Sequence, residues 1–298
     1  MKKKFPISVV CASHKGRERI PKFINSIFNN NCWPNEIIIC GTSKRDFDYI
    51  PKKKYPGLFI KTFVSKIKNQ NYQRQMAISH TKKNNIIMQL DDDLILKKNY
   101  INLMFSHFRN EKKKKIVSAT ILIKPRANIT NTIVQSHRWN HNFYSNFLFR
   151  FVLLFFNLGK KIKYYSILSS GRICPLLPKN FIKKKKLLSN LEWTNSSICY
   201  QKSALKDSNK NLFFNEKKSY YEDVIFTHSL YKKGYNIIMD PKIVAYHPFL
   251  ESINFIDYIK TIKKQFFIVK YFKKNYFFFF CDVIVVTAYF FLKFILKK

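Results

Sequence analysis

Short apolar runs rich in β-branched residues alternate with helix-type periodicity along the first half of the chain. The runs that predict strands are residues 7–11, 36–40, 59–64, 86–90 and 116–123. Between them, residues 20–28 and 70–79 predict helices, the first with apolar side chains at helical spacing. Strands that alternate with helices usually pair in parallel, because each helical crossover returns the chain to the same end of the sheet. The pattern therefore predicts an α/β fold with a Rossmann-like, doubly wound, mostly parallel sheet.

The pattern is less regular beyond residue 123. Further ordered elements are predicted at residues 193–200, 223–231 and 236–239. Asp240 and Pro241 are expected to close the last of these strands. Residues 143–158 are apolar and aromatic, and they fit either an insertion packed on the core or an element in a lipid interface. The sequence leaves both readings open.

The C-terminal segment, residues 276–296, is almost continuously apolar and aromatic, and Asp282 and Lys293 interrupt it. Its length suits a bilayer crossing, which takes about 20 residues. A carboxylate at depth is costly, so a helix in the membrane interface competes with a span, and a buried core helix is the soluble alternative. We favour membrane association, because a surface helix of a soluble domain shows a polar face. We expect a C-terminal hydrophobic helix that attaches the protein, peripherally or as an anchor, to the cytoplasmic side of the membrane.

The charge of the chain is large but carries limited information. There are 55 Lys and Arg against 17 Asp and Glu, a formal net charge of +38, which favours nucleic acid or an anionic membrane surface as a partner. Lysine supplies most of it. Lys, Asn, Ile and Phe share codons built from A and T, so genome composition explains much of the excess. The six cysteines lack metal-site spacing and indicate reduced thiols in the cytosol.

Two acidic clusters stand out against this basic background. Three aspartates, residues 91–93, follow the strand predicted over residues 86–90, and Glu222 and Asp223 begin a predicted helix. Adjacent carboxylates repel one another, so a divalent cation with oxygen ligands is their natural partner. The carboxyl end of a strand in an open α/β sheet is also where ligands bind. The alternatives are a turn that caps a helix for the first cluster and a helix-start pair favoured by the dipole for the second.

Seven sequence pieces share one order with a known family of enzymes. They are residues 7–10, 36–39, 73–74, 90–93, 193–197, 222–224 and 234–247. In this order the chain resembles the family 2 glycosyltransferases, with a GT-A fold over about residues 5–250. The resemblance implies a nucleotide-binding half over about residues 1–125, an acceptor-side half over 126–250, and a helical, membrane-associating segment over 251–298.

The same resemblance implies a reaction. It is a metal-dependent, inverting transfer of a sugar from a nucleotide-sugar donor to a hydroxyl of a saccharide or lipid-linked acceptor, in the synthesis of cell-envelope polysaccharide or lipopolysaccharide. Asp93 is the implied ligand of Mn²⁺ or Mg²⁺, with Asp91 at the ribose or the metal shell and Asp92 between nucleotide and donor sugar. The metal neutralises charge on the leaving diphosphate. Asp223 is the implied base for the acceptor hydroxyl, with Glu222 as the fallback.

Further residues complete the expected site. Arg74 is expected near the base or phosphates of the nucleotide, with a surface helix arginine as the alternative. His247 is expected in the metal shell or at the diphosphate, with a core histidine as the alternative. The expected acceptor contacts are Trp193, Asn195 and Ser196, because an aromatic face stacks on a sugar ring and polar groups bind its hydroxyls. A core tryptophan is the alternative there.

The chain departs from the family after its second predicted strand. Many members carry an aspartate that reads the uracil or ribose, whereas this chain has Thr42 and Ser43. Thr42 is a candidate contact for the base, and Ala12 and Ser13 keep the small residues of the first turn, so they are candidate nucleotide contacts as well. The donor nucleotide stays open among UDP, GDP and dTDP.

Two other classes of protein remain as alternatives. A nucleotidyltransferase would share the metal aspartates but would need a glycine-rich phosphate loop, and Gly16 is the lone glycine of the first turn. A nucleic-acid or anionic-surface binding protein is favoured by charge alone and gives no reason for residues 91–93. We expect a nucleotide-sugar donor, an acceptor and a membrane surface as partners, and no specific nucleic acid.

Overall fold

The computed structural model describes most of the chain in segments. They are residues 2–50, 54–82, 86–109, 114–123, 133–134, 163–174, 177–178, 181–195, 197–208, 221–247 and 255–295. The protein divides into two compact units, Met1–Val134 with Asn180–Phe249 and Gln135–Lys179 with Leu250–Lys298. The apolar stretch at residues 143–158 lies outside the described residues.

The elements of the described residues follow in chain order. The strands are β1 (Lys4–Ala12), β2 (Trp33–Gly41), β3 (Ile60–Val64), β4 (Ile86–Asp91), β5 (Ile95–Leu96), β6 (Lys115–Ile123), β7 (Ile133–Val134), β8 (Ser166–Ile167), β9 (Ile173–Cys174), β10 (Ile198–Gln201) and β11 (Asn236–His247). The helices are α1 (Arg19–Phe28), α2 (Gln70–Ser79), α3 (Tyr100–Ser106), α4 (Phe181–Lys184), α5 (Ala204–Asp207), α6 (Glu222–Lys232), α7 (Phe255–Tyr271) and α8 (Tyr276–Ile295).

One mixed sheet organises the first unit, with its main strands in the order β3-β2-β1-β4-β10-β6-β11-β5. The first four strands in this order are parallel, as the alternation of strands and helices predicts, and β6 is parallel to β11. Strand β10 runs antiparallel between β4 and β6, and β5 runs antiparallel to β11. The predicted α/β fold is therefore present with antiparallel strands inserted in its second half.

Helices α1 and α2 form for different local reasons. Helix α1 buries Ile20, Phe23, Ile24 and Ile27 completely, and this spacing gives the helix one apolar face for the core. Each such side chain stabilises the fold by about 1.5–3 kcal/mol. Helix α2 has a weaker apolar face and begins at a capped end, where the Asn69 side chain accepts a hydrogen bond from the backbone N–H of Tyr72 at 2.9 Å.

Strand β11 is longer than the sequence predicts. Asp240 and Pro241 do not close it, because the register against β6 shifts after Asp240 and pairing then resumes. Such a bulge tolerates proline, which has no N–H to donate to the ladder. The continuation pairs Tyr246 with Ile95 and brings His247 to the end of the strand, beside the turn that follows β4.

The second unit contains a short antiparallel pair, β8 and β9, and the two long helices α7 and α8. Helix α8 covers the segment that the sequence marks as apolar and aromatic. Among the described residues, no helix is both long enough and apolar enough to cross a bilayer.

Candidate active site

The carboxyl ends of three neighbouring strands meet at one edge of the sheet. Ala12 at the end of β1 pairs with Cys40 of β2 on one side and with Asp91 of β4 on the other. The backbone N–H of Ser13 then donates to the carbonyl of Cys40 at 2.9 Å. The expected nucleotide contacts at the first turn and the aspartates after β4 are therefore adjacent, as in other open α/β sheets where ligands bind at this edge.

Asp92 is turned toward the first turn of the chain. Its Oδ2 atom accepts a hydrogen bond from the Ser13 hydroxyl and lies 3.0 Å from Nη2 of Arg19. Burial raises the pKa of Asp92 to about 6, although Ser13 and Arg19 act in the opposite direction. A Cβ on Gly16 would lie 2.0 Å from the Ser13 Oγ and 2.9 Å from the Asp92 Oδ2, so this close approach requires glycine.

Asp93 and His247 form a pair at the neighbouring turn. Oδ2 of Asp93 lies 3.2 Å from Nε2 of His247, while Oδ1 of Asp93 is buried without a hydrogen-bond partner in the described part of the chain. Burial alone would raise the pKa of Asp93, but the hydrogen bond and the charge of His247 outweigh it and lower that pKa. A carboxylate with one unsatisfied buried oxygen is a suitable ligand for a hard cation.

The acidic cluster does not by itself supply a complete metal cage. Over the residues that the structure describes, no group of three or more His, Cys, Asp or Glu side chains is arranged to hold an ion. Mg²⁺ and similar cations in phosphate-binding enzymes often take one or two carboxylates and complete their shell with substrate phosphates. The pair of Asp93 and His247 fits a cation of that kind.

Arg74 of helix α2 joins the two acidic clusters. Its Nη2 lies 2.6 Å from Oδ1 of Asp91, and its Nη1 lies 3.0 Å from Oε1 of Glu222. Burial would lower the pKa of Arg74, but Asp91, Glu222 and Asp223 raise it well above the ordinary value. The side chain is only 3% exposed, so the alternative of a surface helix arginine is wrong. Both clusters therefore lie within reach of one guanidinium group.

Asp223 lies in the first turn of helix α6, next to this bridge. Tyr221, just before the helix, adopts a left-handed conformation at φ 52° that starts the helix abruptly. The Asp223 carboxylate accepts a hydrogen bond from the backbone N–H of Val224 at 2.9 Å. Burial and then the charge of Glu222 raise the pKa of Asp223 to about 7, although the charge of Arg74 acts in the opposite direction. A carboxylate with this pKa is well matched to proton removal near neutral pH.

The expected acceptor segment lies against helix α6. The backbone N–H of Thr194 donates to Oγ1 of Thr227 at 3.1 Å, and that hydroxyl donates to the carbonyl of Asp223 at 2.8 Å. Trp193 is only 5% exposed, which leaves little of its ring for a sugar. Asn195 is partly exposed and accepts a hydrogen bond from the backbone N–H that follows it by two residues. Ser196 lies outside the described residues.

The turn after β2 contains an aspartate that the sequence pattern does not single out. Oδ2 of Asp46 accepts hydrogen bonds from the backbone N–H groups of Thr42 and Ser43, at 2.9 Å and 3.0 Å, and from the Thr42 hydroxyl at 3.1 Å. Its Oδ1 lies 3.3 Å from the backbone nitrogen of Gly16. Asp46 thereby organises the loop that faces the first turn, and His14 lies 3.0 Å from Thr42 across it.

Arg19 and Asp46 are the residues that sequence reasoning missed. Both are charged groups close to predicted strand ends in a chain with only 17 acidic residues, and that rarity was the available signal for Asp46. Arg19 had no comparable signal in the sequence, because arginine at the start of a helix is ordinary in so basic a chain.

Solved structures of glycosyltransferases with the GT-A fold match the fold of this chain. A crystal structure of GalNAc-T7 with UDP, GalNAc and Mn²⁺ matches with a TM-score of 0.61 and 13% sequence identity, over 89% of this chain and 47% of that chain. A crystal structure of S. aureus TarS 1-349 in complex with UDP-GlcNAc matches with a TM-score of 0.51 and 12% identity, over 89% and 65%.

This chain spans about half the length of the first of these proteins and just under two thirds of the second. No protein-family model matches the sequence. No curated protein matches it by sequence either. At this level of identity the similarity establishes the fold, and the chemistry has to be argued from the side chains.

Proposed function

We propose that the protein is a glycosyltransferase that moves a sugar from a nucleotide-sugar donor to a hydroxyl group of an acceptor. The observation that carries the proposal is the contact of Arg74 with both Asp91 and Glu222. Sugar transfer needs the carboxylates that bind the donor to lie within one substrate length of the carboxylates that face the acceptor. The buried guanidinium group of Arg74 holds one carboxylate of each cluster, Asp91 and Glu222, close together.

In this proposal Asp223 removes the proton from the acceptor hydroxyl as its oxygen attacks the anomeric carbon. The bond from that carbon to the outer phosphate breaks on the opposite face, so the configuration inverts. A pKa near 7 lets Asp223 act as a base at neutral pH and still bind the proton that it takes. Arg74 pairs with the neighbouring Glu222, which leaves Asp223 as the carboxylate available for the proton.

Asp93 and His247 would hold a divalent cation, and Asp91 would lie at the ribose or at the edge of the metal shell. When bound, Mn²⁺ or Mg²⁺ supplies positive charge for the leaving diphosphate. The unsatisfied oxygen of Asp93 supports this assignment. The neighbouring structure that contains UDP, GalNAc and Mn²⁺ is consistent with it at the level of the fold.

Ser13, Ala12 and Thr42 would surround the nucleotide, because they line the edge where β1 and β2 end. The acceptor would be a saccharide or a lipid-linked saccharide, and a role in the synthesis of cell-envelope polysaccharide or lipopolysaccharide follows from the family resemblance. The family 2 assignment and the inverting outcome belong to this proposal as well.

The test is nucleotide release by the purified protein with Mn²⁺ and a panel of UDP-, GDP- and dTDP-sugars. We expect one donor to be turned over and the rate to fall at least about 100-fold in Asp93→Asn and in Asp223→Asn, because each removes an essential group. Asp207→Asn is the matched control, since Asp207 pairs with Lys114 and Tyr235 at the amino ends of β6 and β11. Failure of every donor to bind or react would contradict the proposal.

A further inference from the structure

Helix α8 exposes a row of apolar side chains on one face and buries a carboxylate on the other. Phe277, Phe280, Ile284 and Phe291 are 59–66% exposed, and their spacing of three, four and seven residues places them on one face of the helix. Side chains on the opposite face are buried, and one of them is Asp282, which is 0% exposed. A helix on the surface of a soluble domain has the reverse arrangement.

The buried charge on helix α8 is fully partnered. Nη2 of Arg172 lies 2.8 Å from Oδ2 of Asp282, and Nε of Arg172 lies 2.9 Å from both carboxylate oxygens. Gln265 of helix α7 donates to the same carboxylate and also to the carbonyl of Ser170. Asp282 is therefore satisfied within its own unit and is held away from the apolar face, so it does not oppose contact of that face with an apolar medium.

Helix α7 adds a mixed stripe of apolar and basic residues. Ile259, Lys263, Phe266 and Lys270 recur at helical spacing, and all four are exposed. The Phe266 ring lies 6.1 Å from the ring of Tyr276 at the start of α8, so the exposed faces of the two helices adjoin at this corner. We call the two exposed faces together the aromatic face.

The charged residues around the aromatic face indicate which kind of partner binds there. Lys263, Lys270 and Lys273 are exposed beside the aromatic side chains, and Asp282 is the only acidic residue between positions 259 and 295. Lysines around an apolar surface are attracted to acidic lipid head groups, while the aromatic rings enter the boundary between head groups and acyl chains. A second copy that used the same face in a two-fold dimer would oppose lysine to lysine.

We propose that the aromatic face of α7 and α8 docks on an anionic lipid surface. The docking rests on this face alone and does not depend on the proposed sugar transfer, so either can fail without the other. It assigns the C-terminal segment to the membrane interface and gives a physical basis for attachment on the cytoplasmic side, where anionic lipids are concentrated.

The test is co-sedimentation of the full chain with vesicles of phosphatidylcholine alone and of phosphatidylcholine mixed with phosphatidylglycerol. We expect binding to the mixed vesicles that weakens as salt is raised, because salt screens the lysines. Phe277→Ser with Phe280→Ser should weaken binding at least about tenfold, because the lost aromatic burial is large. Lys263→Glu with Lys270→Glu should weaken it at least about fivefold for each lysine.

Matched controls lie on helix α4 and just after it. Lys183 and Lys184 are exposed lysines and Leu187 is an exposed leucine, all outside the aromatic face. Lys183→Glu with Lys184→Glu, and Leu187→Ser, should bind mixed vesicles like the unmodified protein. Equal losses in these controls and in the aromatic-face variants would overturn the proposal, because net charge would then explain the binding. No binding to mixed vesicles would overturn it as well, as would a dimer that dissociates in Phe277→Ser.

Discussion

At the scale of single residues, Arg74 and Asp223 are the charged groups of the candidate site whose pKa values burial and neighbouring charges shift most clearly. Arg74 is a buried cation that contacts Asp91 and Glu222, and these carboxylates hold the pKa of its guanidinium group well above the ordinary value. For Asp223 the effect of burial outweighs the opposing charge of Arg74 and raises its pKa. The two carboxylates of one helix start thereby acquire different properties, which is how paired acids take different roles.

Replacing Arg74 should affect both stability and activity. Arg74→Gln leaves Asp91 and Glu222 partly buried without their cation, and breaking a buried pair in this way costs about 3–5 kcal/mol. Chemical denaturation should show this loss, whereas Arg109→Gln, at an exposed arginine, should change the free energy of unfolding by less than about 0.5 kcal/mol. Equal stability of both variants would mean that the bridge contributes nothing to the fold.

The pKa of Asp223 predicts the pH dependence of transfer. A base must be deprotonated, so kcat/KM should rise with pH and level off above about 7. The rising part of this pH profile should follow the titration of Asp223.

The stability of the fold should show the opposite trend with pH. Between the ordinary pKa of 3.8 and about 7 the folded state retains a proton that the unfolded state loses, so this group lowers stability as pH rises.

A comparison with Asp223→Asn isolates this effect. The melting temperature of the unmodified protein, relative to that of Asp223→Asn, should fall as the pH is raised from about 4 to about 8. A constant difference across this range would show that Asp223 titrates with an ordinary pKa. The rise of kcat/KM with pH would then have to come from the titration of another group.

At the scale of elements, strand ends position the site and the loops after them complete it. β1, β2 and β4 bring their carboxyl ends together, the bulge in β11 carries His247 to Asp93, and α2 and α6 add Arg74 and Asp223. A substitution that weakens one of these helices or strands should therefore displace the site residue that it carries, and it should also lower the stability of the fold.

Helix α2 offers a local test of this view. Asn69→Ala removes the side chain that caps the helix, which costs about 1 kcal/mol and lowers the melting temperature by about 2–4 °C. Ser203→Ala is the control, because Ser203 precedes α5 without a capping side-chain hydrogen bond. A similar melting temperature for the two variants would mean that the cap does not stabilise α2.

Elements with a strong local pattern were predictable from the sequence. Helix α2 has the predicted bounds, and β1, β2, β4 and β6 extend the predicted strands by one to three residues at one or both ends. The passage of β11 through Pro241 was not predictable, because only pairing with β6 shows that a bulge absorbs the proline. The roles of Arg74 and Asp46 also depend on contacts between distant segments, and local patterns carry no information about such contacts.

At the scale of the whole molecule, the two units differ in what they bury and expose. The first unit contains the mixed sheet and brings two acidic clusters to one of its edges. The second unit buries its only acid between positions 259 and 295 and exposes aromatic side chains. Its apolar segment was evident from the sequence, but the inward direction of Asp282 follows from its pairing with Arg172, far away in the chain.

The central claim is that the two acidic clusters have separate roles in one site, and donor binding separates them most directly. Calorimetric titration with the donor that the unmodified protein turns over, with and without Mn²⁺, should be made on Asp93→Asn and Asp223→Asn. We predict that Asp223→Asn binds the donor like the unmodified protein but does not transfer the sugar, and that Asp93→Asn loses the Mn²⁺-dependent part of binding. Donor binding that is lost in Asp223→Asn and unchanged in Asp93→Asn would contradict the account.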